Sequence, residues 1–284
     1  MMRSILSRLG WRPGQAVVTP APAAPTRGQI VQATVRQAVL SMDGGFLHVD
    51  MNGADLWLPP ETIRTMTHCF HMDEAGSFFL HIERAQMDWL GRHLSPGAHL
   101  LDVGAATGAV CLPLAKRFGP SVNIVAFEPA RAARRLLTDT VARNKLDWIK
   151  ILPLAVADQS GHTTFYEYPH DDANVTPFLP EASTLVAISD PRVTQVEIDV
   201  TTLDEQFADD ASVQRAAVKI DVEGYEAKVL AGAQRFIARV RPAFAIDIHG
   251  NPFGEGTTES DVRAILGPLG YKFEKLAHVL ACSP

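Results

Sequence analysis

The chain has 284 residues, 46% of them hydrophobic and 20% charged, a balance that can bury a sizeable core and excludes a wholly disordered chain. Acidic residues outnumber basic ones, 32 to 26, giving a formal net charge of −6, so the footprint of a non-specific nucleic-acid binder is missing and no nucleic-acid partner is expected. Cys69, Cys111 and Cys282 form no C-x-x-C and fit neither a disulfide framework nor a thiolate metal site, which points to a reducing, cytoplasmic setting. No run of about 18 uninterrupted apolar residues occurs, so no integral membrane segment is expected.

Residues 1–28 read as a flexible tail and linker. Arg3, Arg8 and Arg12 stand among Ile5, Leu6, Leu9 and Trp11, so residues 1–12 offer a weak contact for an anionic membrane or a partner. Pro13, Pro20, Pro22 and Pro25 then mark an extended connector, and no secretory cleavage pattern appears. The tail is expected to be dispensable for catalysis; docking across a second copy would instead make a homodimer. Residues 29–95 read as a β-meander and helix appendage. Strands over 46–49 and 55–58 flank Asn52-Gly53, a pair suited to a two-residue turn, and a helix over 83–94 puts Met87, Leu90 and Leu94 on one face. His68, Cys69, His71 and Asp73 look metal-like together, but with no second ligand pair nearby they read as surface loop, and zinc is rejected there.

Residues 96–284 alternate strands with helices, the pattern of a mostly parallel sheet covered on both faces. Strands are expected over 98–103, 123–127, 149–156, 216–220 and 243–248, with a closing pair over 271–273 and 278–281. Helices are expected over 108–118, 129–143, 223–240 and 260–269. Pro129 would sit in the first turn of its helix, and Asn144 would cap its end in the left-handed conformation. Residues 162–168 and 193–200 alternate like an antiparallel pair, and Thr202 with Glu205 has the capping-box spacing. The polar loop over 169–185 reads as a lid, with Asn174 and Ser183 as contacts.

Chemistry concentrates in a few stretches. Asp102-Val103-Gly104-Ala105-Ala106-Thr107-Gly108 ends a strand, makes a tight loop and opens a helix. Its G-x-x-x-G spacing is neither the dinucleotide fingerprint nor the phosphate loop, which requires a Lys. A loop that cradles no phosphate, with Asp102 before it, suits a ligand carrying a positive amino group, such as the methionine part of S-adenosylmethionine; an ordinary glycine turn is the bland alternative. Glu128, right after the next strand, stands where a nucleotide-binding α/β fold places an acid for the ribose hydroxyls, and Phe127 beside it can lean on adenine. Asp158 could receive the adenine amino group, although Asp158-Gln159-Ser160-Gly161 is also simply a good turn.

With these residues in view the chain resembles the FkbM family of S-adenosylmethionine-dependent methyltransferases. The matching pieces are Asp102 to Gly108, Phe127-Glu128-Pro129, Ala155-Val156-Ala157-Asp158 with Gly161, Thr202-Leu203-Asp204, and Lys219-Ile220-Asp221-Val222-Glu223-Gly224-Tyr225-Glu226, together spanning roughly residues 97–250. Ala106 departs from the Asn common in the family, which bears on side-chain contact to the cofactor and not on the fold. The resemblance implies an α/β, Rossmann-like class I methyltransferase sheet of seven strands with the last antiparallel. It implies S-adenosyl-L-methionine as cofactor, held by Asp102, Gly104, Ala105, Thr107, Gly108, Phe127, Glu128 and Asp158. It also implies O-methylation, with a small-molecule or glycan acceptor such as a sugar or secondary metabolite.

An alkyl hydroxyl is a poor nucleophile, so its proton must be taken or a metal must acidify it. Asp221, Glu223, Asp247 and His249 stand at the ends of the fourth and fifth strands, where such a site belongs. The expected catalytic set is His249 as base, Asp221 orienting the acceptor and Glu223 beside them, with no metal. A nicotinamide oxidoreductase of similar fold would need pyrophosphate glycines that this loop lacks, and a non-catalytic binding module would not need Asp221 or His249.

Overall fold

The computed structural model describes residues 41–65, 70–72, 78–80, 84–167, 183–187, 193–249 and 256–284. The tail over 1–28, the zinc-like residues His68, Cys69 and Asp73, and the lid residue Asn174 lie outside the described residues; of His71 only the backbone is described.

Alternating burial builds the first sheet. β1 (Ser41–Asp43), β2 (Phe46–Met51) and β3 (Ala54–Leu58) pair antiparallel around β2, and β4 (Phe70–Met72) and β5 (Phe78–Leu80) complete it. Leu47, Val49 and Met51 face inward with Ala54, Leu56 and Leu58, and Asn52-Gly53 makes the expected turn. After α1 (Pro60–Thr65), α2 (Arg84–Arg92) buries Met87 and Leu90 as its periodicity predicts.

The chain continues through β6 (His99–Val103), α3 (Cys111–Phe118), β7 (Asn123–Phe127), α4 (Arg131–Arg143), β8 (Ile149–Leu152) and β9 (Ala155–Val156). Then come β10 (Gly161–Glu167), β11 (Thr194–Thr201), α5 (Leu203–Phe207), β12 (Ala216–Ile220), α6 (Glu226–Ala231) and α7 (Gln234–Val240). The last elements are β13 (Ala243–Asp247), α8 (Glu259–Leu266), β14 (Lys272–Leu276) and β15 (Val279–Ser283). Seven strands form one sheet in the order β14-β15-β13-β12-β6-β7-β8, in which β15 alone runs against its neighbours. This is the α/β sheet that the resemblance implied. β6, β12 and β13 are buried at every residue because helices cover both faces. One face packs with α2, α3, α4 and the inward side chains of β2 and β3, so the N-terminal sheet shares the main core. The other face carries Phe207, Leu230, Phe236 and Leu266 from α5 to α8. Among the described residues no helix is long and apolar enough to cross a membrane.

Several sequence expectations are corrected. The strand over 149–156 divides at Pro153: β8 stays in the main sheet, while β9 pairs with β11 in a separate three-stranded sheet, since proline offers no N–H to a ladder. The helix over 223–240 is two helices. Gly232 lies between them, where a Cβ would come within 2.1 Å of the Ala157 carbonyl oxygen, and the Asp204 carboxylate accepts from Arg235 N and Phe236 N to start α7. Pro129 lies outside α4, whose N-cap is Ala130. Asn144 ends α4 at φ −90°, and Lys145 takes the positive φ instead. The expected cap at Thr202 is present, its hydroxyl accepting from Glu205 N at 3.0 Å.

Asn144 has a different task from the one expected. Its Oδ1 accepts from Trp57 N at 2.9 Å and its Nδ2 donates to Trp57 O at 2.8 Å, clamping β3 onto the end of α4. Arg143 lies 4.8 Å from the Trp57 ring centroid and pairs with Asp43. Asn144→Ala leaves both backbone groups of Trp57 without these partners and should cost about 1–3 kcal/mol. Urea unfolding should show a lower midpoint at unchanged slope.

Candidate active site

A cavity of about 420 Å³ opens at the carboxyl ends of β6, β7, β12 and β13, where an open α/β sheet places its ligand. One end is formed by Gly104, Ala105, Ala106, Thr107, Phe127 and Glu128, the other by Asp221, Glu223, Asp247, His249 and His278. Leu154, Val156 and Phe165 form an apolar wall, and Ser183, expected as a lid contact, lines it too.

The glycine loop is built by a close approach. Gly104 has φ +77°, and a Cβ there would stand 1.8 Å from the Asp221 carbonyl oxygen, so no other residue fits. Gly104 N and Ala105 N both donate to Phe127 O, which ties the loop to β7. Ala106 takes φ +47°, and its N–H donates to Glu128 Oε2 at 2.7 Å. Glu128 Oε1 accepts from Ala130 N at 2.7 Å, so one carboxylate joins the loop to the start of α4. Burial pushes the Glu128 carboxyl up to about 7, against the pull of those two amides. The Thr107 hydroxyl is buried in the lining and has no hydrogen-bond partner among the described residues.

Three expected cofactor residues stand elsewhere. Asp102 is fully buried beneath the loop: its Oδ2 accepts from Cys111 N at 3.2 Å and its Oδ1 lies 3.5 Å from Lys219 Nζ. Its positive partner is therefore an internal lysine and not a ligand's amino group. Burial raises its carboxyl, and the Lys219 charge draws it back. Asp158 lies outside the cavity lining and pairs with Lys228 at 2.9 Å. Gly108 packs against Leu112 and Leu137, also outside the lining.

At the other end Asp221, just past β12, lies 3.2 Å from Lys219 Nζ and 3.7 Å from His249 Nδ1. Glu223 holds φ +55°, a strained value for a glutamate, and its carbonyl accepts from the Thr184 hydroxyl at 2.8 Å. Burial and then the Asp221 charge push its carboxyl up to about 8. His249 lies 3.4 Å from Glu226 Oε1 and 3.8 Å from Glu223 Oε1. Burial disfavours the charged ring, but the Glu226 hydrogen bond and the Glu223, Asp221 and Asp247 charges outweigh it and push the pKa up to about 10. These surroundings favour the charged ring, which works against the role of base expected for His249. Asp221, Asp247 and His249 bring one potential ligand atom each within 4.8 Å of one another. Asp221 also lies 3.2 Å from Lys219 Nζ, and Asp247 lies 3.2 Å from His278 Nε2.

Lys219, Glu226 and His278 escaped the sequence reading. The first two stand within a recognised motif but show their burial only in the fold. His278 had no local signal, because only the pairing of β15 with β13 brings it to the cavity.

The Methyltransferase FkbM domain family matches residues 102–273. The chain belongs to this family. Membership makes S-adenosylmethionine its methyl donor and sets aside the nicotinamide oxidoreductase reading. Similar solved structures include a methyltransferase FkbM from Methylobacillus flagellatus KT, 18% identical, with a TM-score of 0.43 over 70% of this chain and 51% of that one. The chain thus spans about half the length of that relative. A precorrin-6y C5,15-methyltransferase from Geobacter metallireducens GS-15 is 10% identical, with a TM-score of 0.41 over 75% of this chain and 91% of that one. A SAM-dependent methyltransferase from Aquifex aeolicus is 14% identical, with a TM-score of 0.39 over 71% and 92%. No curated protein matches the chain.

The strain at Ala106 gives a direct test. An L-residue in the left-handed region costs about 1–2 kcal/mol, part of which glycine returns as unfolded-state entropy. Ala106→Gly should therefore stabilise the protein by roughly 0.5–1 kcal/mol, seen as a Tm rise of about 2 °C in calorimetry. Gly104→Ala, by contrast, should displace the loop and abolish cofactor binding.

Proposed function

We propose that the protein transfers the methyl group of S-adenosylmethionine to a hydroxyl oxygen of a sugar, glycan or secondary metabolite. The supporting observation is the single cavity that runs from Glu128 and the glycine loop to a wall of carboxylates. When bound, the cofactor supplies an electrophilic methyl on a sulfonium centre.

The residues present suit that cofactor. Each Glu128 oxygen accepts one backbone N–H and keeps a second lone pair for ribose hydroxyls. The orphaned Thr107 hydroxyl calls for a polar ligand atom, and Phe127, Leu154 and Val156 offer apolar surface for a base. At the far end Asp221 and Asp247 can accept hydrogen bonds from an acceptor's hydroxyls and fix its orientation. Glu223 carries its proton at neutral pH and donates. Holding oxygen and methyl in line can supply much of the acceleration.

Glu128→Ala should weaken S-adenosylmethionine binding roughly ten- to a hundredfold by calorimetry, the loss of charge-assisted contacts worth about 1.5–3 kcal/mol, without unfolding the domain. Because protonation removes acceptor capacity, wild-type affinity should fall as the pH drops through about 7, and Glu128→Gln should flatten that dependence. For the acceptor, products of a panel of neutral sugars incubated with methyl-¹³C cofactor should carry their new carbon at methyl-ether shifts. Label on nitrogen or carbon instead would overturn the oxygen assignment.

A further inference from the structure

We propose that His278, held by Asp247, is the base that takes the acceptor's hydroxyl proton, an inference that rests on the hydroxyl-methylation reading above. Its place follows from strand register. β14 and β15 are joined by Ala277 and His278 alone, and Ala277 has φ +55°, as a two-residue hairpin turn requires. On the other side of β15, Val279 stands opposite Asp247, the last residue of β13. The residue before Val279 is therefore carried beside the Asp247 carboxylate at the mouth of the cavity, and His278 Nε2 lies 3.2 Å from Asp247 Oδ2. The Asp247 side chain is 9% exposed and that of His278 62%, so a buried carboxylate grips one edge of a ring whose other edge is open. A neutral ring that carries its proton on Nε2, toward this carboxylate, keeps its lone pair on Nδ1.

The other groups on this wall are poorly placed to accept a proton. His249 is ringed by Glu226, Glu223 and Asp221, which favour its charged form over a free lone pair. Glu223 holds its own proton near neutrality. Asp221 is paired with the buried Lys219 ammonium. His278 lines the same cavity, and its ring is mostly open to solvent. In the transfer, the hydroxyl oxygen's electron pair forms the new C–O bond while the C–S bond breaks, its pair going to sulfur. The hydroxyl proton passes to His278 Nδ1 and leaves through the exposed edge of the ring.

Two measurements test this. In protein labelled with ¹⁵N in the imidazole rings, at pH 8, His278 should show a protonated Nε2 and a bare Nδ1, and His249 two protonated nitrogens. The reverse pattern would overturn the proposal whatever the acceptor. Transfer to methyl α-L-rhamnopyranoside and methyl α-D-glucopyranoside as probe acceptors should fall by about 10²–10⁴ in His278→Ala and equally in His278→Gln, which keeps a donor for Asp247. Calorimetry should show unchanged cofactor affinity in both variants, and added imidazole should restore part of the His278→Ala rate. Variants that keep the wild-type rate, or that lose cofactor binding along with it, would sink the proposal. A wild-type enzyme whose transferred methyl is found on nitrogen or carbon would overturn the hydroxyl reading, and this proposal with it.

Discussion

Both halves of the site depend on one buried charge, the Lys219 ammonium. Lys219 stands opposite Asp102 in the register of β12 on β6, so adjacent strands carry a cation and a carboxylate into the core together. With 5% of its side chain exposed, the ammonium is tolerable only because Asp102, the Gly104 carbonyl and Asp221 receive it. Those partners belong to different parts of the site: the strand beneath the loop, the loop itself and the first acid of the far wall. Gly104 also lies directly against the Asp221 backbone. The glycine loop and the acidic wall of the cavity are therefore tied together through Lys219 and Gly104.

Electrostatics then divides the work at the far end. Burial and like charge raise Glu223 and Asp247, while the same carboxylates hold a proton on His249. A histidine among acids is favoured as a cation that eases their mutual repulsion, and it is weakened as a base. Glu226, fully buried at the start of α6, anchors it from behind while accepting Gly224 N at 2.9 Å. The turn after β12 is shaped by the same contacts that set its protonation.

Backbone strain marks the cavity at two points, one at each end. Ala106 and Glu223 are both non-glycine residues at positive φ, and each is held by a hydrogen bond from outside its own turn. Ala106 N donates to Glu128, and the Glu223 carbonyl accepts from Thr184. In the left-handed region asparagine is more at ease than alanine, which gives the Asn common at the position of Ala106 a conformational meaning as well as a contact one. Strain of this kind persists only where surrounding structure over-determines it, and here the over-determining groups line or border the cavity.

Much of this was legible in the sequence because it is local. Apolar runs of strand length, alternating with helical periodicity and broken by glycine turns, determined the α/β sheet and its strand sequence. The loop from Gly104 and the acid at Glu128 could be placed at one end of the cavity, because strand-to-helix turns hold such residues in fixed positions. The break at Gly232, the clamp of Asn144 on Trp57 and the departure of β9 to a second sheet were decided by contacts between segments far apart in the chain. So were the charge states. That Asp102 faces a lysine, and that its neighbours favour a charged His249, depend on distances across strands and on burial, neither of which composition or spacing contains. His278 is the clearest case. A histidine in a hairpin turn carries no signal of its own, and only the antiparallel pairing of β15 with β13 sets it beside Asp247.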